Sequence, residues 1–247
     1  PVKKVKALMI GGKPVSQYEA GSMSCYFDEI LSMPLTIIDM ANLSRIDLSQ
    51  YTHIIMVDGR YSALSESTET QLSHWVKAGG VLYTQKRASQ WAAKKGLLKA
   101  SFISKSSIDN LFETESLHYK DRESLSAKKR VAGAIFSGTI DTTHPLGYGY
   151  IRDELPMFKN STTIIEAPSK PFIGIVKYND SPLLSGYADP AVENKIGGNA
   201  SVIAHNVGRG RIVASADNLV FRGHWLGTAK IVANTLFFGK TFSASAK

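Results

Sequence analysis

Thirteen residues, Gly79-Gly80-Val81-Leu82-Tyr83-Thr84-Gln85-Lys86-Arg87-Ala88-Ser89-Gln90-Trp91, run in the order that mounts chemistry on a sheet. Two glycines stop a helix, a short apolar strand follows, and a polar turn opens the next helix. In an open α/β sheet such a turn lies at a strand's carboxyl end, against the free N–H groups of the helix that follows. Acyl-transfer enzymes seat a Ser or Cys there on a strained elbow. Here the tip reads Gln85, Lys86, Arg87, none of them an acyl-transfer nucleophile. Ser89 lies too deep in the following helix to serve. The pattern predicts an enzyme-like scaffold whose central turn lacks catalytic machinery.

Other constellations are weaker. A triad needs a nucleophile, a His in reach and an orienting acid. The single cysteine, Cys25, sits on a different element, away from any helix N-terminus, and reads as a packed thiol. Of the six histidines, none has Glu or His three or four places on, the spacing that puts two zinc ligands on one helix face. His118 has Asp121, but in a loosely patterned segment. His144, before Pro145, reads as a turn-fixing residue. The run 217–225 (Asp-Asn-Leu-Val-Phe-Arg-Gly-His-Trp) is the most unusual polar cluster. Its bland reading pairs Asp217 with Arg222 while Phe221 and Trp225 pack. Its functional reading joins Arg222 and His224 to Arg60, Lys86 and Arg87 in a basic pocket for an anionic ligand or sugar. No catalytic residue and no metal ligand is assigned.

The chain has 247 residues, 43% hydrophobic and 20% charged, enough to bury a sizeable core. Its net charge of +8 permits anionic partners without requiring them. The basic residues are scattered, so solvated faces explain them better than a nucleic-acid groove. One cysteine excludes an internal disulfide. No apolar run is long enough for a membrane helix. The chain opens on Pro1 without Met, which points to a processed product or an excised segment.

Apolar runs predict strands at 5–10, 35–40, 53–58 and 81–85, with helices at 18–31, 65–78 and 88–97 between and after them. Asp58-Gly59-Arg60-Tyr61 then forms a loop beside the turn at Lys86. This order implies a mostly parallel sheet with helices on both faces. Past a loose stretch at 99–130, with a helix near 122–129, short strands are expected at 134–141, 162–166, 172–178, 201–205 and 211–215, the last two joined by a hairpin turn. They read as an elaborated edge of the same sheet. A closing helix spans 228–238. One domain, 1–240, and a flexible tail, 241–247, are expected.

Three stretches carry a resemblance: 141–150 (Asp-Thr-Thr-His-Pro-Leu-Gly-Tyr-Gly-Tyr), 181–186 (Ser-Pro-Leu-Leu-Ser-Gly), and the ending from Gly208-Arg209-Gly210-Arg211 through Asp217-Asn218, Phe221-Arg222, Trp225, Gly227-Thr228 and 234–239. They resemble the class I glutamine amidotransferase-like domain at the C-terminus of bacterial zinc carboxypeptidases. The first half is similar to the trehalose-utilisation type of that superfamily. The resemblance implies a flavodoxin-like α/β fold and an upstream peptidase domain as partner, with zinc held only there and no cofactor in this chain. It implies a periplasmic or secreted setting; the scattered charge and the short apolar runs argue against a nucleic-acid or membrane partner, and a homo-oligomer is left open. Active amidotransferases carry a Cys on the elbow, with a later His and Glu; this chain departs from that at Gln85-Lys86-Arg87. The expected function is a non-catalytic accessory domain. A small-molecule binding module and a divergent hydrolase using His144 or His224 as base are the alternatives.

Overall fold

The computed structural model describes residues 4–245. Continuous apolar runs become strands buried on both faces. β1 (Ala7–Gly11), β2 (Leu35–Asp39), β3 (His53–Met56) and β4 (Val81–Gln85) are parallel. Leu8, Met9, Ile10, Ile54 and Leu82 are wholly closed to solvent, as expected where helices cover both faces of a parallel sheet. β5 (Ala134–Ile140), β6 (Glu154–Lys159), β7 (Gly174–Gly186) and β8 (Ala200–Val207) extend the same sheet with antiparallel pairings. β9 (Gly210–Ser215) then returns to the centre, parallel to β4 and antiparallel to β8. The nine strands lie in the order β2-β1-β3-β4-β9-β8-β7-β5-β6, a mixed-sheet α/β fold.

Several helices begin where a side chain satisfies a free amide. Ser16 caps α1 (Gln17–Cys25), and the next turn, Tyr26–Leu31, widens to π geometry before Ser32 ends it with φ 48°. The expected single helix at 18–31 is thus two geometries in series. Ser65 caps α2 (Glu66–Lys77), whose last turn stops at Gly79. α3 (Arg87–Lys94) follows β4 directly. The loose stretch holds α4 (Lys105–Asp109) and α5 (Arg122–Lys128); α6 (Pro190–Ile196) and α7 (Leu226–Phe238) complete the set.

Three expectations are corrected. The strand at 162–166 is an irregular segment whose sheet pairing is limited to bridges of Ile165 to Phe102 and Ala200. The strand at 172–178 continues through Gly186, absorbing the Ser-Pro-Leu-Leu-Ser-Gly motif into β7. The tail is docked as far as residue 245, because Asn206 N donates to Ala244 O at 2.8 Å and Arg211 Nε to Phe242 O at 2.7 Å. Phe242 and Ala244 are buried; residues 246–247 lie outside the described residues.

Candidate functional site

β4 pairs with β9 as far as Gln85 opposite Ser215, and the chain then reverses at Lys86. Lys86 has φ 50° and ψ −118°, a sparsely populated conformation for a side chain with a Cβ. Its N–H donates to Ser215 O at 2.8 Å, and its carbonyl accepts from Gln90 N at 3.1 Å. This is the backbone of a strained strand-to-helix elbow, with a lysine where acyl-transfer enzymes carry their nucleophile.

The side chain of Lys86 turns inward. Its Nζ donates to Oε1 of Glu19, on the buried face of α1, and to Oδ1 of Asn160 at 2.5 Å. Gln85 Nε2 donates to the other oxygen of Glu19, and Tyr83 Oη donates to Gln85 Oε1 at 3.2 Å. Burial pushes the Glu19 carboxyl upward, and Lys86 offsets part of that. The adjacent Arg87 points outward and grips Asp58 with both arms of its fork, Nε to Oδ1 at 2.7 Å and Nη2 to Oδ2 at 2.9 Å. That pair raises the guanidinium pKa and ties the carboxyl ends of β3 and β4 together.

Asp217, just past β9, takes a different partner from the one expected. Lys159, at the end of β6, donates to its Oδ1 at 3.1 Å, Ser201 Oγ donates to its Oδ2 at 2.7 Å, and Tyr178 Oη donates to the same oxygen. Arg222 is exposed on the turn Phe221–Gly223; its guanidinium lies 5.2 Å from the Phe221 ring centroid, and its N–H donates to Ser22 Oγ at 3.2 Å. The turn therefore rests on α1, and the Asp217–Arg222 pair is not formed.

A cleft of about 370 Å³ opens at the elbow, lined by Asp58, Lys86, Arg87, Arg130, Asn160 and the stretch 161–163. Of the five residues proposed from sequence for ligand binding, Lys86 and Arg87 line it together. Arg60, Arg222 and His224 are exposed and do not. Both cleft cations on the elbow already face carboxylates, so Arg130 is the cation added by the structure. His144 fixes its turn, as expected: Nδ1 accepts from Leu146 N at 3.1 Å and the ring packs on Phe242. Ser89 is buried, bonded to Thr84 and to Ser215 O. Cys25, the last residue of α1, is exposed and not a fully packed thiol, although its side chain borders Gly223.

Glu19, Asn160 and Lys159 escaped the sequence reading. A signal existed for Lys159: Leu155, Met157 and Lys159 alternate, and period two places the lysine on the buried face of β6.

No family model matches the chain, and no curated protein does. Solved structures do. A protein from Parabacteroides merdae described as ThuA-like aligns over 98% of this chain and 93% of its own, with TM-score 0.64 and 14% identity. A ThuA-like protein from Bacteroides uniformis covers 93% of this chain and 89% of its own, with TM-score 0.54 and 9% identity. A cytoplasmic protein from Salmonella typhimurium covers 95% and 98%, with TM-score 0.50 and 11% identity. The chain thus has the flavodoxin-type α/β fold of ThuA-like proteins. At these identities the likeness speaks for fold alone.

Proposed function

We propose that this chain is a non-catalytic module on an amidotransferase-like scaffold, acting as an accessory domain of a secreted or periplasmic zinc carboxypeptidase in its folding, assembly or substrate presentation. The observation that supports the non-catalytic part is the elbow itself. Its backbone keeps the nucleophile's conformation, while its side chain is a lysine held by Glu19 and Asn160. Acyl transfer needs a deprotonated Ser or Cys next to a His. The histidines with described partners are engaged elsewhere: His144 on Phe242, His205 on Lys99, His53 on Thr52. The peptidase partner rests on the motifs of the C-terminal half.

Deleting the segment from its parent polypeptide is expected to lower the peptidase's thermal midpoint or raise its KM. Unchanged stability, assembly and kinetics would remove the accessory role, as would a native polypeptide of only 26.9 kDa.

A second reading, a binding module for a small anion or sugar acid, draws support from the polar cleft and from Arg130 within it. A rise in thermal midpoint with a carboxylate ligand, lost in Arg130→Ala, is its expected sign.

A further inference from the structure

We propose that Lys86 captures a small 2-oxo acid in the elbow cleft as a reversible imine, a covalent binding site beyond the accessory role. Three features converge on this amine. The strained backbone fixes Lys86 at the point where the fold aims a reactive side chain, and such conformations persist where the surroundings hold them. Its Nζ touches a carboxyl, Glu19, whose proton affinity burial has raised, so a proton acceptor stands beside the ammonium. Finally, Lys86 and its partner Asn160 line an open cleft that also holds Arg130. The Arg130 Nε is held by Ser126 O at 3.0 Å, which leaves its two terminal amino groups for a ligand carboxylate.

The step balances without any oxidant. Glu19 accepts a proton from the Lys86 ammonium. The freed Nζ electron pair attacks the carbonyl carbon, and the carbonyl π pair moves to oxygen, which takes up the second proton that nitrogen gives off. The nitrogen lone pair then expels that hydroxyl, which leaves as water with the proton returned by Glu19. The iminium that remains carries the original positive charge, and water is the only product. Arg130 holds the carboxylate, and Asn160 Oδ1 orients the amine.

The test uses the full chain, pyruvate and cyanoborohydride, with labelling followed by peptide mass mapping. Lys86 is expected to be labelled about tenfold faster than the exposed Lys94 and Lys105, despite its burial. Glu19→Gln should slow labelling at Lys86 by about a hundredfold and leave Lys94 and Lys105 unchanged. Arg130→Ala should raise the pyruvate concentration for half-maximal labelling. Lys86 labelling no faster than at the exposed lysines would overturn the proposal. So would a folded Glu19→Gln protein with undiminished labelling. Equal labelling by glyceraldehyde, which lacks the carboxylate, would overturn the 2-oxo acid assignment.

Discussion

Lys159 Nζ stands 3.1 Å from Asp217 Oδ1, and both side chains are shut off from solvent. Every neighbour works to satisfy the pair. Lys159 also donates to Thr163 O at 2.7 Å and to Tyr178 Oη at 3.1 Å, while Asp217 accepts from Ser201. Burial still pushes the Lys159 pKa down, against the pull of Asp217. The pair joins the end of β6 to the loop after β9, beside the Glu19–Lys86 pair, so the carboxyl edge of the sheet rests on two buried ion pairs.

Removing one partner should therefore cost far more than removing both. Lys159→Met leaves Asp217 charged in a dry site, with an expected loss of about 3–5 kcal/mol. Lys159→Met combined with Asp217→Leu should recover a large part of that loss. Urea denaturation of both variants and the parent measures the difference; equal losses would mean that the pair carries no coupling.

The elbow gives a second expectation. Placing a thiol there by Lys86→Cys should not create glutaminase activity, because no His is described in contact with residue 86 and the new thiol would face the carboxyl of Glu19. Ammonia release from glutamine should stay at the buffer rate. A rate above that would mean that a base can reach the elbow.

How much of this was legible follows from where each signal lies in the chain. β1, β3 and β4 announce themselves because strands buried on both faces must be apolar throughout. The elbow was legible for a local reason: Gly79-Gly80, an apolar run and a polar turn are contiguous. Its partner was not, since Glu19 and Lys86 are 67 residues apart and meet only when α1 packs across the sheet edge. Asp217 drew notice, but sequence proximity favoured Arg222 over Lys159, which is 58 positions away. β6 was hidden by Pro156 and Lys159, residues that weaken a strand pattern; Pro156 is tolerated because β6 is the edge strand.

Gly223 offers a test of the contact between the turn Phe221–Gly223 and α1. It has φ +72°, and a Cβ there would lie 2.7 Å from Cys25 Sγ and 3.2 Å from Cys25 Cβ. Gly223→Ala combines backbone strain with overlap and should cost about 1–3 kcal/mol. Adding Cys25→Ala removes the sulfur but not the strain, so recovery should be partial. Chemical denaturation of the two variants separates the contributions; full recovery would assign the whole cost to the sulfur.

His53, buried at the start of β3 with Nδ1 2.8 Å from Thr52 Oγ1, gives the fold a pH dependence of definite sign. Burial, with Lys240 nearby, lowers its pKa from 6.5 to about 4. The unfolded chain therefore binds a proton at His53 before the folded chain does. Above about pH 6.5 both states are neutral there, and the stability is fully present. Between about 6.5 and 4 only the unfolded state gains the proton, and stability falls by about 3 kcal/mol across that window. Below about pH 4 both states are protonated and this contribution stops changing. His144 and His205 are also depressed by burial and act in the same direction, so the difference between proteins isolates His53. His53→Gln should lower stability less on going from pH 7 to pH 4 than the parent does, by about that amount. Urea unfolding at both pH values measures it, and parallel pH profiles for the two proteins would place the acid sensitivity elsewhere.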